Sequence, residues 1–508
     1  MSIAMRRSLT ATLAISVAAT LLLAGCSAGA TGTSGDRTLT IGQVAEPEKS
    51  PDPIMDGSLA GYNYYYNEFD QLTQLSADGE LTPRLATKWT PNADFTTWSF
   101  TIRTDAKFSN GDPVTAEDVA YTYNKILASP DSDNLGYMET LKSVRATAKD
   151  TVEFDLNAPF SPWPSITTAI SIVPEKVYEK LGSDGFAKAP VGSGPFTFES
   201  YTRGVNYTMV ANPDYWGKAP ETKKVVFQTV GDEDARLNGV ISGSLDIALI
   251  SPNQATGFNS PGASVKSRTG NGSVFLGINS TAGVLANAKV RQAISLAIDE
   301  KSLVSKVLSG SGTANDQVIA PSVAGYVKDA ATHEFDPAKA KSLLAEAGYN
   351  GEKITFQYAT SGRIPLSSNV AQAIQGYLKA VGLNIELAGT DQATLSSIIY
   401  STVNAAGLYL NTWAPSTLDG DMPVTNLFAG GQNDYAKDPA AKELVLKQRT
   451  VSGDERIAAF AALHKLNVEQ AHIIGLYTPN TDYAVRDGIT WKPRADGEYV
   501  IADITYAK

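Results

Sequence analysis

The part of the chain that most restricts its fold is residues 83–124, where two local patterns follow each other. Between positions 96 and 103 polar and apolar side chains alternate strictly, with Trp98, Phe100 and Ile102 on one face. A period of two is typical of a β-strand with one buried face. We therefore predict a strand here, joined by a hairpin turn to the strand before it.

A turn and a helix follow this strand. Residues 109–112 read SNGD, a composition typical of a tight turn. Thr115, with Asp118 three residues later, is predicted to cap the start of a helix on which Val119 and Tyr123 lie at helical spacing. Predicted strands alternate with predicted helices further along the chain, which favours α/β lobes.

The segments PRLATKW, WSFTIR and NGDPVTAEDV in this stretch resemble the signature region of the family 5 extracellular solute-binding proteins. These are the dipeptide, oligopeptide and nickel receptors of ABC importers. Three later segments are similar to the same family, namely PVGSGPF at 190–196, NPDYWG at 212–217 and VRQAISLAID at 290–299. The resemblance implies an α/β, two-lobed periplasmic-binding-protein-like fold (Venus-flytrap) with an extra inserted subdomain in the first lobe.

The resemblance also implies how the chain is divided between the lobes. The predicted segments are 38–75, 189–270 and 476–508 for lobe one, 76–188 for its inserted subdomain, and 271–475 for lobe two. Two hinge strands are expected near 273–279 and 475–480. They would let the lobes close on a ligand.

The first residues of the chain predict export and lipid attachment. Two arginines precede an uncharged apolar run, which ends in small residues and Cys26, the pattern of a lipoprotein signal. We predict a signal peptide at 1–25, a lipid on Cys26 and a flexible tether over 26–37. A membrane-spanning anchor is the alternative, but the run is shorter than the ~20 apolar residues that a span needs. The protein is thus expected at the outer face of a bacterial cell membrane or in the periplasmic space.

Charge and cysteine content exclude some functions. The 508 residues carry a formal net charge of −11, whereas surfaces that bind nucleic acid are basic, so we expect no nucleic-acid partner. Cys26 is the single cysteine, so the mature chain has no disulfide and no thiol for catalysis. We expect a monomer, and the resemblance implies a small solute and ABC permease subunits as its partners.

No pattern in the sequence predicts an enzyme, a metal site or a cofactor. The three histidines are His333, His464 and His472; none lies in an HExxH motif, and the last two are interpreted as helix-surface residues. No GxSxG motif stands out either. The rival interpretation, an exported and membrane-anchored hydrolase, lacks a nucleophile–base pair or a metal site in the sequence.

A ligand site is expected within residues 408–431. Trp413 follows a predicted strand, where it could present a broad apolar face to a ligand or equally plug the core. In the peptide-binding relatives that the chain resembles, a tryptophan here lies in the cleft, and an aspartate three residues later binds the peptide's α-ammonium group. This chain has Ser416 there, which cannot neutralise a buried ammonium. Either Asp419, the preferred candidate, or Asp421 replaces that aspartate, or the ligand is not a free-amine peptide.

Four further residues complete the predicted ligand site: Tyr62, Asn63, Tyr137 and Tyr477. The resemblance brings the chain past the cleft near Tyr62 and Asn63, although packing between helix and sheet is the alternative for each tyrosine. The sequence therefore predicts a lipid-anchored receptor that delivers an oligopeptide or peptide-like solute to an ABC importer. A metal chelate, a glycan or an opine-like solute is the alternative ligand.

Overall fold

A computed structural model describes residues 37–330, 332, 334–431 and 433–507 of the chain. The predicted signal peptide, Cys26 and all of the predicted tether except its last residue lie outside these residues. Within the described part of the chain, no helix is both long and apolar enough to cross a membrane.

The described residues form β-strands and α-helices in an interleaved order. The strands are β1 (Thr38–Gln43), β2 (Thr73–Leu75), β3 (Leu81–Pro83), β4 (Ala86–Pro91), β5 (Thr97–Ile102), β6 (Leu141–Ala148), β7 (Thr151–Leu156), β8 (Phe196–Thr202), β9 (Asn206–Ala211), β10 (Lys224–Thr229), β11 (Ile247–Ile250), β12 (Ala263–Thr269), β13 (Ser273–Ile278), β14 (Gly312–Ala314), β15 (Lys353–Ala359), β16 (Asn384–Thr390), β17 (Leu408–Trp413), β18 (Ile473–Arg486), β19 (Ile489–Thr490) and β20 (Thr505–Tyr506). The helices are α1 (Leu59–Glu68), α2 (Ala116–Leu127), α3 (Trp163–Ile166), α4 (Glu175–Phe186), α5 (Glu233–Ser242), α6 (Pro252–Gly257), α7 (Ala288–Ala297), α8 (Glu300–Ser302), α9 (Pro337–Glu346), α10 (Ser367–Ala380), α11 (Gln392–Ser396), α12 (Asp421–Phe428), α13 (Pro439–Arg449) and α14 (Gly453–Gln470).

One 12-stranded sheet runs through the molecule in the order β16-β15-β17-β13-β18-β11-β1-β10-β9-β8, with β12 and β14 also paired to β18. We call the half that contains β8 to β11 and β1 lobe one, and the half that contains β13 and β15 to β17 lobe two. A separate four-stranded sheet, β4-β5-β7-β6, packs with α2 and forms the inserted subdomain.

Strand β18 belongs to both lobes. Its first part pairs with β13 of lobe two, and residues 482–485 pair with β11 of lobe one. Its partners change between Pro479, which pairs with β14, and Asn480, which pairs with β12. The chain crosses between the lobes a second time at residues 270–272, which join β12 to β13.

The local predictions for residues 83–124 are confirmed. Strand β5 buries Trp98, Phe100 and Ile102, and the polar residues between them are half-buried. Helix α2 begins with a reciprocal capping box, in which the Thr115 side chain accepts from the Asp118 backbone and the Asp118 side chain accepts from the Thr115 backbone. The alternation in β5 and the capping box of α2 each depend on residues that are close in sequence. They therefore do not depend on how this strand and helix pack against the rest of the protein.

Helix α1 carries a buried carboxyl group, Glu68, at its last residue. One carboxyl oxygen accepts a hydrogen bond of 2.5 Å from the Tyr207 hydroxyl, and the other has no partner among the described residues. Burial raises the pKa of Glu68 to about 8. The folded protein therefore holds a proton here at pH values where the unfolded chain has lost it.

Replacing Glu68 by Gln should make protein stability depend less on pH. Between the ordinary value of 4.5 and about 8, the folded state binds more protons at this group than the unfolded state. The free energy of unfolding therefore falls as pH rises, by up to about 1.4 kcal/mol per pH unit from this group alone. Urea unfolding of both proteins from pH 5 to pH 8 measures the slope, and an unchanged slope in Glu68→Gln would contradict the assignment.

Candidate functional site

A cleft of about 340 Å³ lies where the two lobes meet. Its walls come from the end of β1, helix α1, Ala414 after β17, and C-terminal residues 496–499. The crossing segments contribute Asn271 and Thr481. Because both lobes and both crossings line it, a change in the angle between the lobes would change its shape.

Helix α1 positions two of the predicted ligand residues. Ser58 caps the helix by accepting from the Gly61 backbone. Tyr62 is buried and stacks on Tyr66, with ring centroids 5.4 Å apart. Asn63 lines the cleft, and its side-chain oxygen accepts a 3.1 Å hydrogen bond from the Tyr499 backbone. The helix thus supports one wall of the cleft and holds the C-terminal segment beside it.

A chain of three hydroxyl groups crosses from lobe one to lobe two. The Tyr62 hydroxyl lies 3.2 Å from that of Tyr137, in a 3-10 helix of the inserted subdomain. The Tyr137 hydroxyl lies 2.8 Å from the Ser416 hydroxyl, in the turn after β17. Sequence reasoning proposed all three as ligand residues, and the structure brings them together as a contact between the lobes.

A second contact joins the inserted subdomain to lobe two. The Ser161 backbone N–H donates to the Arg449 carbonyl over 2.8 Å, and the Ser161 hydroxyl donates to the Gln448 carbonyl over 3.2 Å. The Arg449 guanidinium also lies over the Phe160 ring, 5.1 Å from its centroid. The structure therefore shows direct contact between the lobes at both of these positions.

The other two predicted aromatic residues do not line the cleft. Trp413 is half-buried at the end of β17, opposite Ser273, and packs against the core of lobe two, while its neighbour Ala414 reaches the cleft. Tyr477 is fully buried in a second core cluster of lobe two. A ring with no exposed surface cannot contact a solute in this arrangement.

Both candidate aspartates are paired with arginines inside lobe two. The Asp419 oxygens lie 2.6 and 2.8 Å from Arg456 of α14, and the Asp421 oxygens lie 2.7 and 2.9 Å from Arg449. Gln448 also donates to Asp421. Neither carboxylate lines the cleft, so the expected replacement of the family aspartate by Asp419 or Asp421 does not match the geometry. The reason is that each finds its cation on the next helices of its own lobe.

The C-terminal segment carries a cleft residue that sequence reasoning missed. Glu498 lines the cleft with 4% of its surface exposed. Burial first, and then the nearby Asp496 carboxylate, raise the pKa of Glu498 well above its ordinary range, and Arg494 opposes this shift. A single glutamate between a glycine and a tyrosine gives no local signal of this position.

Two of the three histidines, His464 and His472, lie within the described residues. His464 on α14 and His472 after it are both buried, which corrects their interpretation as surface residues, and His472 lies 2.8 Å from Asp438. His333 lies outside the described residues. In the described ranges there is no group of three or more His, Cys, Asp or Glu residues arranged to hold a metal.

The fold has two α/β lobes that share one sheet, with a cleft where they meet. This is the fold of the periplasmic binding proteins. Residues 80–435 match the family described as bacterial extracellular solute-binding proteins, family 5 Middle, and the chain belongs to this family. Its relatives are solute-binding proteins and not enzymes. The predicted family and fold class are confirmed.

Two relatives and one solved structure illustrate the similarity. The chain is 26% identical to the nickel-binding periplasmic protein of Escherichia coli (strain K12) over 371 residues, 68% of this chain and 71% of that protein. It is 26% identical to the probable D,D-dipeptide-binding periplasmic protein DdpA of the same strain over 475 residues, 88% of this chain and 89% of that protein. Its fold is similar to that of the ABC transporter substrate-binding protein CtaP from Listeria monocytogenes, with a TM-score of 0.84, 22% identity, and coverage of 93% of this chain and 100% of that chain.

Replacing Asp419 by Asn should destabilise the protein. The change leaves the Arg456 guanidinium buried without its counter-ion, which typically costs about 3–5 kcal/mol. Asp78→Asn is the matched control, because that carboxylate also pairs with an arginine, Arg268, but is 61% exposed. Exposed pairs contribute little, so the control should unfold close to the wild type. Denaturant unfolding compares the three proteins, and equal midpoints for all three would contradict the structural role of Asp419.

Replacing Tyr137 by Phe should loosen the contact between the lobes. The change removes the hydrogen bond to Ser416, and one such bond contributes ~0.5–1.5 kcal/mol, so the open population should rise about two- to tenfold. Solution scattering of the ligand-free protein should give a larger radius of gyration.

Tyr121→Phe is the control for this experiment, because the Tyr121 hydroxyl contacts Glu179 within the same subdomain. It should leave the radius of gyration unchanged. Identical values for both variants and the wild type would show that the Tyr137 hydroxyl does not contribute to closure.

Proposed function

We propose that the protein is the lipid-anchored receptor of an ABC importer, which captures a short peptide or peptide-like solute and delivers it to the membrane permease. The observation that carries this proposal is the cleft, whose walls come from both lobes and both crossing segments. A solute that contacts both lobes at once favours the closed form over the open one. A permease that distinguishes these forms would receive only loaded receptors.

The size of the cleft favours a small ligand. Its volume of about 340 Å³ is near the lower end of the ~300–1,000 Å³ that is usual for small-molecule sites. Its walls also include the end of β1 and Asn63, and backbone groups and an asparagine amide are groups that can form hydrogen bonds with a peptide backbone. A short peptide therefore suits the site better than a long one, and the dipeptide relative is consistent with this choice.

The anchor rests on the residues before Cys26 and on the family. Small residues precede this single cysteine, after an apolar run and two arginines. Members of the family are extracellular, so a lipid on Cys26 would hold the receptor at the membrane where its permease lies. The same tether would leave the orientation of the lobes free.

A metal chelate is the second candidate ligand, because one relative is a nickel-binding protein. A chelate can be held by groups other than histidines, so this candidate depends on the shape and polarity of the cleft. Peptide and chelate make different demands on the site, which allows one experiment to separate them.

Adding the correct solute should compact the protein and raise its melting temperature. We expect both effects with an equimolar mixture of free-amine tripeptides, and neither with nickel(II) bound to histidine. A ligand at one hundred times its Kd adds about 2.7 kcal/mol to the free energy of unfolding. Solution scattering and thermal unfolding of the purified protein provide the measurements. Compaction with the nickel complex alone would favour the chelate, and no response to either would contradict the peptide proposal.

A further inference from the structure

The carboxylate of Glu498 is held in the cleft without a partner. The Tyr499 backbone N–H donates to Asn63 and its carbonyl accepts from Asn67, so α1 fixes the segment beside Glu498. The Glu498 backbone N–H donates to Asp496 over 3.1 Å. Among the residues that the structure describes, none donates a hydrogen bond to the Glu498 side chain, although only 4% of the residue is exposed. Burying a carboxylate in this way is costly unless a cation arrives.

The nearest cation is already neutralised. The Arg494 guanidinium lies 2.7 and 3.0 Å from the Asp496 oxygens and 3.2 Å from Asp503. It also donates to the Leu75 carbonyl. Two carboxylates therefore share the charge of Arg494, and the carboxyl group of Glu498 is left without a cation of its own.

The other elements around Glu498 supply no positive charge. The titratable groups that face it are Tyr62 and Tyr66 from α1, Tyr483 from β18 and Tyr499 from its own segment, besides Asp496 and Arg494. Lys, Arg and His are absent from the described residues that line the cleft. The lining of the cleft thus supplies no cation to the Glu498 carboxyl group.

A second acceptor lies in the same cleft. Gln43, at the end of β1, donates its amide N–H to the Ala60 carbonyl over 3.0 Å. Its side-chain oxygen is buried and has no partner within the described part of the chain. Gln43 and Glu498 both line the cleft, but the Gln43 oxygen itself is covered in this arrangement. A ligand group with N–H donors and a positive charge would satisfy the Glu498 carboxylate.

We propose that Glu498 binds a cationic nitrogen of the solute, so that the solute carries an ammonium group, which in a short peptide is its amino terminus. This inference rests on the proposed function. The ammonium group would then be bound by the C-terminal segment of lobe one. It would not be bound by the segment after Trp413, where Ser416 is neutral.

The protonation of Glu498 supports this role and gives it a signature. Burial favours the neutral carboxyl in the empty cleft, because the pKa of Glu498 is well above its ordinary range. An ammonium beside it favours the ionised form, so binding should release up to about one proton. A residue that only shapes the cleft would release none.

Two peptide mixtures test the proposal: an equimolar mixture of tripeptides with free amino termini, and the same mixture after N-acetylation. Native mass spectrometry should show that the wild-type protein retains free-amine tripeptides and few acetylated ones. Glu498→Gln should weaken binding of the best-retained tripeptide by on the order of 30-fold or more, measured by calorimetry. Calorimetry in two buffers of different ionisation enthalpy should show proton release by the wild type and none by Glu498→Gln.

Glu68→Gln is the matched control, because it makes the same change at a buried carboxyl group that does not line the cleft. It should bind as the wild type does. If Glu498→Gln does not fold, the two mixtures and the proton release of the wild type decide the question alone.

The outcomes separate the inference from the proposed function. Equal retention of both mixtures by the wild type, or wild-type binding by Glu498→Gln, would overturn the role of Glu498 and leave a peptide receptor. Retention of neither mixture would overturn the peptide proposal and the inference that rests on it.

Discussion

The arrangement of the molecule depends on the backbone hydrogen bonds of β18, a single strand that pairs with both lobes. Its partners change from β14 to β12 between Pro479 and Asn480, and the Gly270 N–H donates to the Pro479 carbonyl over 2.9 Å at the same level. Breaking this ladder would leave buried backbone groups without partners, which is costly. A change in the angle between the lobes would therefore bend the chain at the two crossings and leave this ladder intact. The cleft lies at these crossings, so bending acts directly on it.

Sequence reasoning succeeded where the determining signal is local or belongs to the family. The alternation in β5 and the Thr115–Asp118 capping box are complete within a few residues, and both are present in the structure. The resemblance gave the two-lobed fold over most of the chain. The predicted ligand residues also include Tyr62, Tyr137 and Ser416, and the structure places the Tyr137 hydroxyl within hydrogen-bonding distance of the other two. Their contact across the lobes depends on tertiary structure, so no pattern of spacing could have shown it.

Sequence reasoning failed where a charge finds its partner through tertiary structure. No basic residue stands near Asp419 in the sequence, yet α14 brings Arg456 to within 2.6 Å of it. Glu498 shows the reverse situation, since Arg494 is close in sequence but is shared by Asp496 and Asp503. Which carboxylate remains unpaired is decided by the sum of all these contacts. A sequence motif contains no information on these tertiary contacts, so it cannot predict which carboxylate stays unpaired.

The neutral Ser416 fits this distribution of charge. Its hydroxyl contacts Tyr137 of the inserted subdomain, and the next acidic residues, Asp419 and Asp421, already hold Arg456 and Arg449. An aspartate at position 416 would place a third carboxylate in this turn, with a phenol hydroxyl as its neighbour and no cation of its own. Burying such an unpaired carboxylate would destabilise the ligand-free protein. With serine there, this position contacts Tyr137 through uncharged hydroxyl groups. The carboxyl group without a cationic partner is instead Glu498, which lines the cleft, and burial there favours its protonated form.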